Sequence, residues 1–174
     1  MKEPCPVDNV HIELISPRQV DEAIELFTQH VYEGNRDQAL THLVGHREGE
    51  ADTFVAYVRR ILAGFLTIRW HSDYPRFRDQ NIPLIQQLEV FPSFQRRGIA
   101  SQLMERAEQL IATRARQAGI VVGLFDAYGP AQRLYAKRGY VPDGRGACQA
   151  QRPLELGEVV TIDHDLIIWM TKEL

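Results

Sequence analysis

Residues 82–141 alternate strand-like and helix-like segments, and this alternation constrains the fold more than any other feature of the chain. Residues 82–91 form an apolar, strand-like run stopped by Pro92. A long amphipathic stretch follows over about residues 97–117, with Ile99, Leu103, Ala107, Leu110 and Ile111 on one face and Gly119 as its stop. Residues 120–125 return to a strand pattern, Gly129-Pro130 opens a second helix ending at Gly139, and Tyr140-Val141 starts another strand. A strand–helix–strand–helix unit of this kind predicts an α/β or α+β domain built on a mixed sheet.

The flanks extend the same architecture. Val10, Ile12 and Leu14 alternate with polar residues as a first strand. Ser16 and Gln19 then spell a capping box, with Val20, Ile24, Phe27 and Val31 at helical spacing and Gly34 as a stop. Asn35 and Gln38 suggest a second box, before a short helix carrying Leu40, Leu43 and Val44 and ended by Gly45. Residues 53–58 and 61–70 read as a hairpin turning at Arg59-Arg60, and residues 159–162 with 166–171 as a terminal hairpin. Residues 71–81, polar, aromatic and interrupted by Pro75, read as a long loop of the kind that carries function. No linker or repeat divides the chain, so residues 1–174 are expected to form one domain.

Composition excludes several classes. With 44% hydrophobic and 25% charged residues the chain is neither disordered nor fibrous. The N-terminus lacks the apolar core of a secretory leader, and the longest nearly apolar run, residues 61–68, is too short for a membrane span. Cys5 and Cys148 have no metal-like spacing and suit free thiols in a reducing compartment, so a cytoplasmic location is expected. Charge is unevenly spread: net -5 over residues 1–60, +5 over 61–140 and -3 over 141–174. A basic middle fits a site for an anionic small ligand. A pI of about 6.1 without a continuous basic stripe argues against nucleic acid.

The segment from Leu88 to Ser101, L-E-V-F-P-S-F-Q-R-R-G-I-A-S, carries the chemistry. A strand ends and a short turn leads into a helix, whose first-turn amides point outward with a partial positive charge. Gly98 permits close approach to the backbone, and Ala100 and Ser101 are small. This is an anion cradle of the sort that binds a pyrophosphate. It is neither the phosphate-binding loop of NTPases nor the three-glycine dinucleotide fingerprint.

Q-R-R-G-I-A after L-E-V-F-P resembles the acetyl-CoA-binding pattern Q/R-x-x-G-x-G/A of the GNAT N-acetyltransferase superfamily. Ala131 to Tyr140, A-Q-R-L-Y-A-K-R-G-Y, resembles the same family's A-x-x-L-Y-x-x-x-G-F/Y helix, in the expected order and at the expected separation. The strong resemblance spans about residues 53–141. It implies a GNAT-like domain with a mixed central sheet of about seven strands flanked by helices. It also implies direct acetyl transfer from acetyl-CoA, with no metal, to a primary amine of a small molecule or peptide. Relatives often dimerise, so a homodimer is the assembly it suggests.

Carried onto this chain, the resemblance implies that Leu88 and Val90 contact the pantetheine arm through their main chain. Gln95, Arg96, Arg97, Gly98, Ile99, Ala100 and Ser101 would then hold the pyrophosphate. Tyr135 occupies the position of the general acid; a phenol is protonated at neutral pH and can donate to the leaving thiolate. Where many relatives carry Asn seven residues before that tyrosine, this chain has Tyr128, which leaves packing against the cofactor as its role.

Glu89 is the carboxylate the strand offers as a general base. Strand alternation puts Leu84, Gln86, Leu88 and Val90 on one face and Glu89 on the other unless a bulge intervenes. A water-mediated route or a substrate-loop residue is the alternative to Glu89. His42 and His46 are four apart on a helix but lack a third ligand, and Asp163-His164-Asp165 fits a polar turn better than a metal site. A non-catalytic acyl-CoA-binding sensor of the same fold is the rival reading. The acidic excess of residues 1–60 favours a cationic acceptor.

Overall fold

The computed structural model describes residues 10–47 and 49–174, and Cys5 with the rest of the N-terminal stretch lies outside them. The fold is α/β, with helices flanking a mixed sheet. That sheet has eight strands, one more than expected, in the order β1-β2-β3-β4-β5-β8-β6-β7. These strands are β1 (Val10–Leu14), β2 (Ala51–Val58), β3 (Ile61–Arg69), β4 (Leu84–Val90), β5 (Gln117–Gly123), β6 (Val141–Gln149), β7 (Arg152–Pro153) and β8 (Leu166–Glu173). β4 and β5 are parallel, whereas β1/β2, β2/β3, β5/β8, β6/β8 and β6/β7 are antiparallel.

The residues group into two compact units. The first runs to Trp70 and adds Gln87–Ala107. Its helix α1 (Val20–His30) follows a single 3-10 turn over Pro17–Gln19 that the Ser16 box opens, and α2 (Arg36–Arg47) begins directly after Asn35. Gln19 Oε1 accepts from Ser16 N at 3.0 Å and Asn35 Oδ1 from Gln38 N at 3.2 Å, which satisfies amides that a helix start leaves unpaired. Val20, Ile24 and Phe27 of α1 bury against Leu43 of α2 and Val55, Leu62 and Phe65 of the sheet. Each fully buried side chain of this size contributes about 1.5–3 kcal/mol. Arg59 and Arg60 both take positive φ, 51° and 68°, giving the two-residue turn whose twist matches a hairpin.

Two local departures in this unit matter for function. α2 continues through Gly45 to Arg47 rather than stopping there, so His42 and His46 stand one turn apart on the same helix. In β4, Gln87 has φ 52°, which breaks the strand's strict alternation where Glu89's face had to be judged. Next to this break a β-carbon on Gly64 would stand 2.4 Å from the Glu89 carbonyl oxygen, so only glycine lets the two backbones approach.

The second unit comprises His71–Gln86 and Glu108–Leu174. The expected loop over residues 71–81 contains a short helix, α3 (Pro75–Asp79), with Pro75 in its first turn, where a missing N–H costs nothing. Tyr74 stacks on Trp169 at 4.0 Å, Phe77 meets the same indole edge-on, and both rings are core. Aromatic surface thus outweighs the polar residues around it. The helix expected to reach Gln117, α4 (Ile99–Ala112), ends earlier, and Gly119 lies inside β5 rather than stopping a helix. The terminal hairpin does not form: residues 159–162 are not a strand, and β8 pairs instead with β5 and β6. α5 (Gly129–Lys137) ends as expected before Gly139, which takes φ 91°.

Candidate active site

In the first unit, β4 ends at Val90 and a single 3-10 turn over Pro92–Phe94 redirects the chain. Arg96 at φ 64° and Gly98 at φ 78° then set up α4 at Ile99. A backbone bond from Gln102 N to Gly98 O at 3.1 Å ties the first turn of α4 to Gly98. Gln95, Arg96, Arg97 and Gly98 are exposed, Ile99 is buried, and Ala100 and Ser101 are half-buried. A β-carbon on Gly98 would meet nothing within 4 Å, so the space above the turn is open.

Side chains brace this turn from within. Gln95 Nε2 donates to Val90 O at 3.0 Å, and Arg97 Nη2 donates to Ser93 O at 2.9 Å while its guanidinium lies 5.5 Å from the centre of the Phe94 ring. Leu88 and Val90 are half-buried between exposed Gln87 and Glu89. Desolvation holds the Glu89 carboxyl above its ordinary range.

The same unit contains a polar chain that the sequence reading did not anticipate. Tyr32 Oη lies 2.6 Å from His42 Nδ1, and His42 Nε2 lies 2.7 Å from Thr67 Oγ1. Thr67 Oγ1 lies 2.7 Å from Thr53 Oγ1, which lies 2.8 Å from His46 Nε2. Thr53 and Thr67 are direct cross-strand partners. Burial, then the neighbouring His46, lowers the His42 imidazole to about 4, so it is neutral at ordinary pH. Histidines four apart on a helix, facing a threonine pair on a hairpin, are the signal that identifies such a chain. Among the described residues no cluster of three or more potential metal ligands occurs.

In the second unit Tyr135 is buried on α5, and burial followed by the nearby Tyr128 pushes its phenol up to about 12. Tyr128 is half-buried at the head of α5. Its ring covers Gly123, where a β-carbon would come within 2.3 Å, and meets Phe125 edge-on at 4.9 Å. Gln132 Nε2 donates to Gly123 O at 2.8 Å and ties α5 to β5. Leu88, Val90 and residues 95–101 therefore share one strand–turn–helix, while Tyr128 and Tyr135 lie together at the α5 end of the other unit.

A family model described as an acetyltransferase (GNAT) domain matches residues 49–142. No curated protein sequence matches the chain. Solved structures of similar fold include a GNAT-family acetyltransferase from Streptococcus pneumoniae, with TM-score 0.62 and 19% identity over 95% of this chain and 100% of that one. Another is the acetyl transferase from Salmonella typhimurium that modifies the N-terminal serine of ribosomal protein L7/L12, with TM-score 0.62 and 15% identity over 97% and 98%. A third is the PaiA N-acetyltransferase from Thermoplasma acidophilum in complex with coenzyme A, with TM-score 0.62 and 12% identity over 95% and 99%.

Proposed function

Because the chain belongs to the GNAT acetyltransferase family, we propose that this acetyltransferase moves the acetyl group of acetyl-CoA onto a primary amine of a small molecule or peptide. The observation that carries this reading is the open turn at Gly98. The family's binding motif coincides with a left-handed backbone, space for a ligand and the start of a helix. A pyrophosphate suits that donor set, because clustered N–H groups at a helix start favour negative charge.

Acetyl-CoA supplies a thioester whose carbonyl accepts the amine and whose thiolate departs. The amides of residues 98–101 hold phosphate charge, with Arg96 adding positive charge at the rim. The Leu88 and Val90 main chain aligns the pantetheine arm, with the Val90 carbonyl accepting from Gln95 Nε2. Tyr135, its phenol pushed up to about 12, donates a hydrogen bond to the departing sulfur. Tyr128 packs beside the cofactor in place of an asparagine.

The acidic excess of residues 1–60 favours a cationic acceptor. Among the described residues no helix is long and apolar enough to cross a membrane. Buried, unbridged Cys148 suits the cytoplasm. A homodimer is the proposed assembly, which light scattering would check.

The test is thiol release from acetyl-CoA across a panel of amines and free-N-terminus peptides, alongside calorimetric binding of CoA. Turnover with at least one amine is the expected result. CoA binding with no turnover on any amine would instead favour a sensor, and absence of CoA binding would remove both readings.

A further inference from the structure

The chain Tyr32–His42–Thr67–Thr53–His46 spends five polar side chains on the interior of the first unit, where Thr53, Thr67 and His46 are almost fully buried. A hydrogen bond adds only about 0.5–1.5 kcal/mol net, and apolar groups of the same shape would serve stability as well. The direction of the chain turns on the tautomer of its buried end. His46 Nε2 lies 2.8 Å from Thr53 Oγ1, while His46 Nδ1 has no hydrogen-bond partner. The Leu43 carbonyl, one turn back, favours a proton on this ring.

With the proton on Nδ1, His46 Nε2 is an acceptor. Thr53 then donates to His46, Thr67 donates to Thr53, and His42 Nε2–H donates to Thr67. His42 Nδ1 is left as an acceptor, and the Tyr32 hydroxyl donates to it. The phenolic hydrogen therefore points inward and the oxygen lone pairs point outward. Burial and then the nearby Glu89 raise the pKa of this hydroxyl, and the Gln87 side chain lowers it. Both neighbours belong to β4, the strand whose Leu88 and Val90 flank the proposed pantetheine path.

We propose that Tyr32 is the proton acceptor for the attacking amine, with His42 as the residue that positions it and takes its proton. This deepens the acetyl-transfer reading and rests on it. As the amine nitrogen bonds to the acetyl carbon it becomes cationic. Its N–H bond breaks and a new Oη–H bond forms on Tyr32, while the original Tyr32 Oη–H bond breaks and Nδ1–H forms on His42. The positive charge moves from the amine nitrogen to a His42 imidazolium that still donates to Thr67. The proton returns to water by the same path after product leaves. A weakly basic imidazole suffices because a nitrogen turning cationic on a carbonyl carbon is strongly acidic.

Two measurements test this. Long-range proton–nitrogen spectra of isotope-labelled histidines read each ring's tautomer without substrate, so they are independent of the acetyl-transfer reading. Near neutral pH the expected protons are on Nε2 of His42 and Nδ1 of His46; a proton on Nδ1 of His42 would overturn the proposal. Tyr32→Phe is then assayed with acetyl-CoA and spermidine, free lysine or a free-N-terminus peptide, whichever the wild type acetylates. The expected kcat falls about 100-fold, the usual scale of acid–base catalysis, with the KM for acetyl-CoA and the thermal midpoint held. A kcat within about threefold of wild type counts against the proposal. Failure of the wild type on every amine would count against acetyl transfer, and the tautomers alone would then decide this point.

Discussion

The Phe77 ring occupies the space that a side chain on Gly119 would need: a β-carbon there would stand 2.2 Å from Cε2 and 2.6 Å from Cδ2. Phe77 is fully buried and edge-on to Trp169, so it has no easy retreat. Gly119 does not take positive φ, which makes the requirement steric rather than conformational. Gly119→Ala is expected to cost about 1–3 kcal/mol by overpacking. At roughly 2–4 °C per kcal/mol for a chain of this size, thermal unfolding should fall by several degrees. Adding Phe77→Leu should recover part of the loss; strictly additive losses would show that the two side chains do not compete.

Glu108 offers a stability test that depends on pH. Its carboxylate receives Arg138 Nε at 2.9 Å, Arg138 Nη2 at 2.8 Å and Lys172 Nζ at 2.6 Å. Burial alone would raise its pKa, but the hydrogen bonds and charges of Arg138 and Lys172 outweigh it and leave the group below the ordinary 4.5. The stabilisation is therefore complete above about pH 4.5 and fades as pH falls through the folded value. Glu108→Gln leaves two cations facing a neutral amide and should cost about 2–4 kcal/mol at neutral pH. Urea unfolding should show the gap between variant and wild type closing in acid.

Tyr135→Phe removes one hydroxyl from a buried ring and leaves its packing on α5 intact. Turnover on an accepted amine is expected to drop about 100-fold, while calorimetric CoA affinity stays within about threefold. Equal losses in both would mean that Tyr135 binds the cofactor rather than assisting departure of the thiolate.

The strand–turn–helix at residues 88–101 and the α5 helix were legible because each is specified by local chemistry: Pro92 stops a strand, Gly98 turns, Gly129-Pro130 starts a helix. The misread positions are those where a distant partner decides. Gly119 looked like a helix stop, yet it is glycine because Phe77 needs the space. Residues 71–81 looked like a polar loop, but Tyr74 and Phe77 draw them into the core, where Tyr74 also donates to Asp143 at 2.6 Å. Residues 159–162 had strand composition, but the edges of β8 are already occupied by β5 and β6. The positive φ of Gln87 leaves no compositional trace, because nothing in the residue type marks a non-glycine that takes this conformation. The Tyr32–His46 chain was hidden for the same reason: it joins a loop, a helix and a hairpin.

Gly98 isolates the backbone's role in the cradle. A side chain at this position meets open space, so any effect of Gly98→Val arises from forcing a β-branched residue into φ 78°. The turn should relax away from that geometry and re-aim the first amides of α4. CoA affinity is expected to weaken about tenfold, equivalent to roughly 1.4 kcal/mol, with only a small loss of thermal stability. Unchanged affinity would mean that the pyrophosphate is held by side chains instead.

The neutral state of His42 has a consequence for acid stability that is separable from that of Glu108. Burial, then His46, lowers the folded His42 pKa to about 4 from an ordinary 6.5. Between these values the unfolded chain binds a proton that the folded chain refuses, so stability falls as pH drops through this window and levels off below it. A shift of this size corresponds to at most about 3 kcal/mol at the low end. The facing groups do not cancel the effect: Tyr32 stays neutral because its own pKa is raised, and His46 is itself lowered by burial, against the pull of the Leu43 carbonyl and Asp52. His42→Gln keeps a polar side chain beside Tyr32 and Thr67 but cannot titrate. Urea midpoints between about pH 7 and 4 should therefore decline less steeply in the variant than in the wild type, and parallel declines would place the His42 ring in contact with solvent.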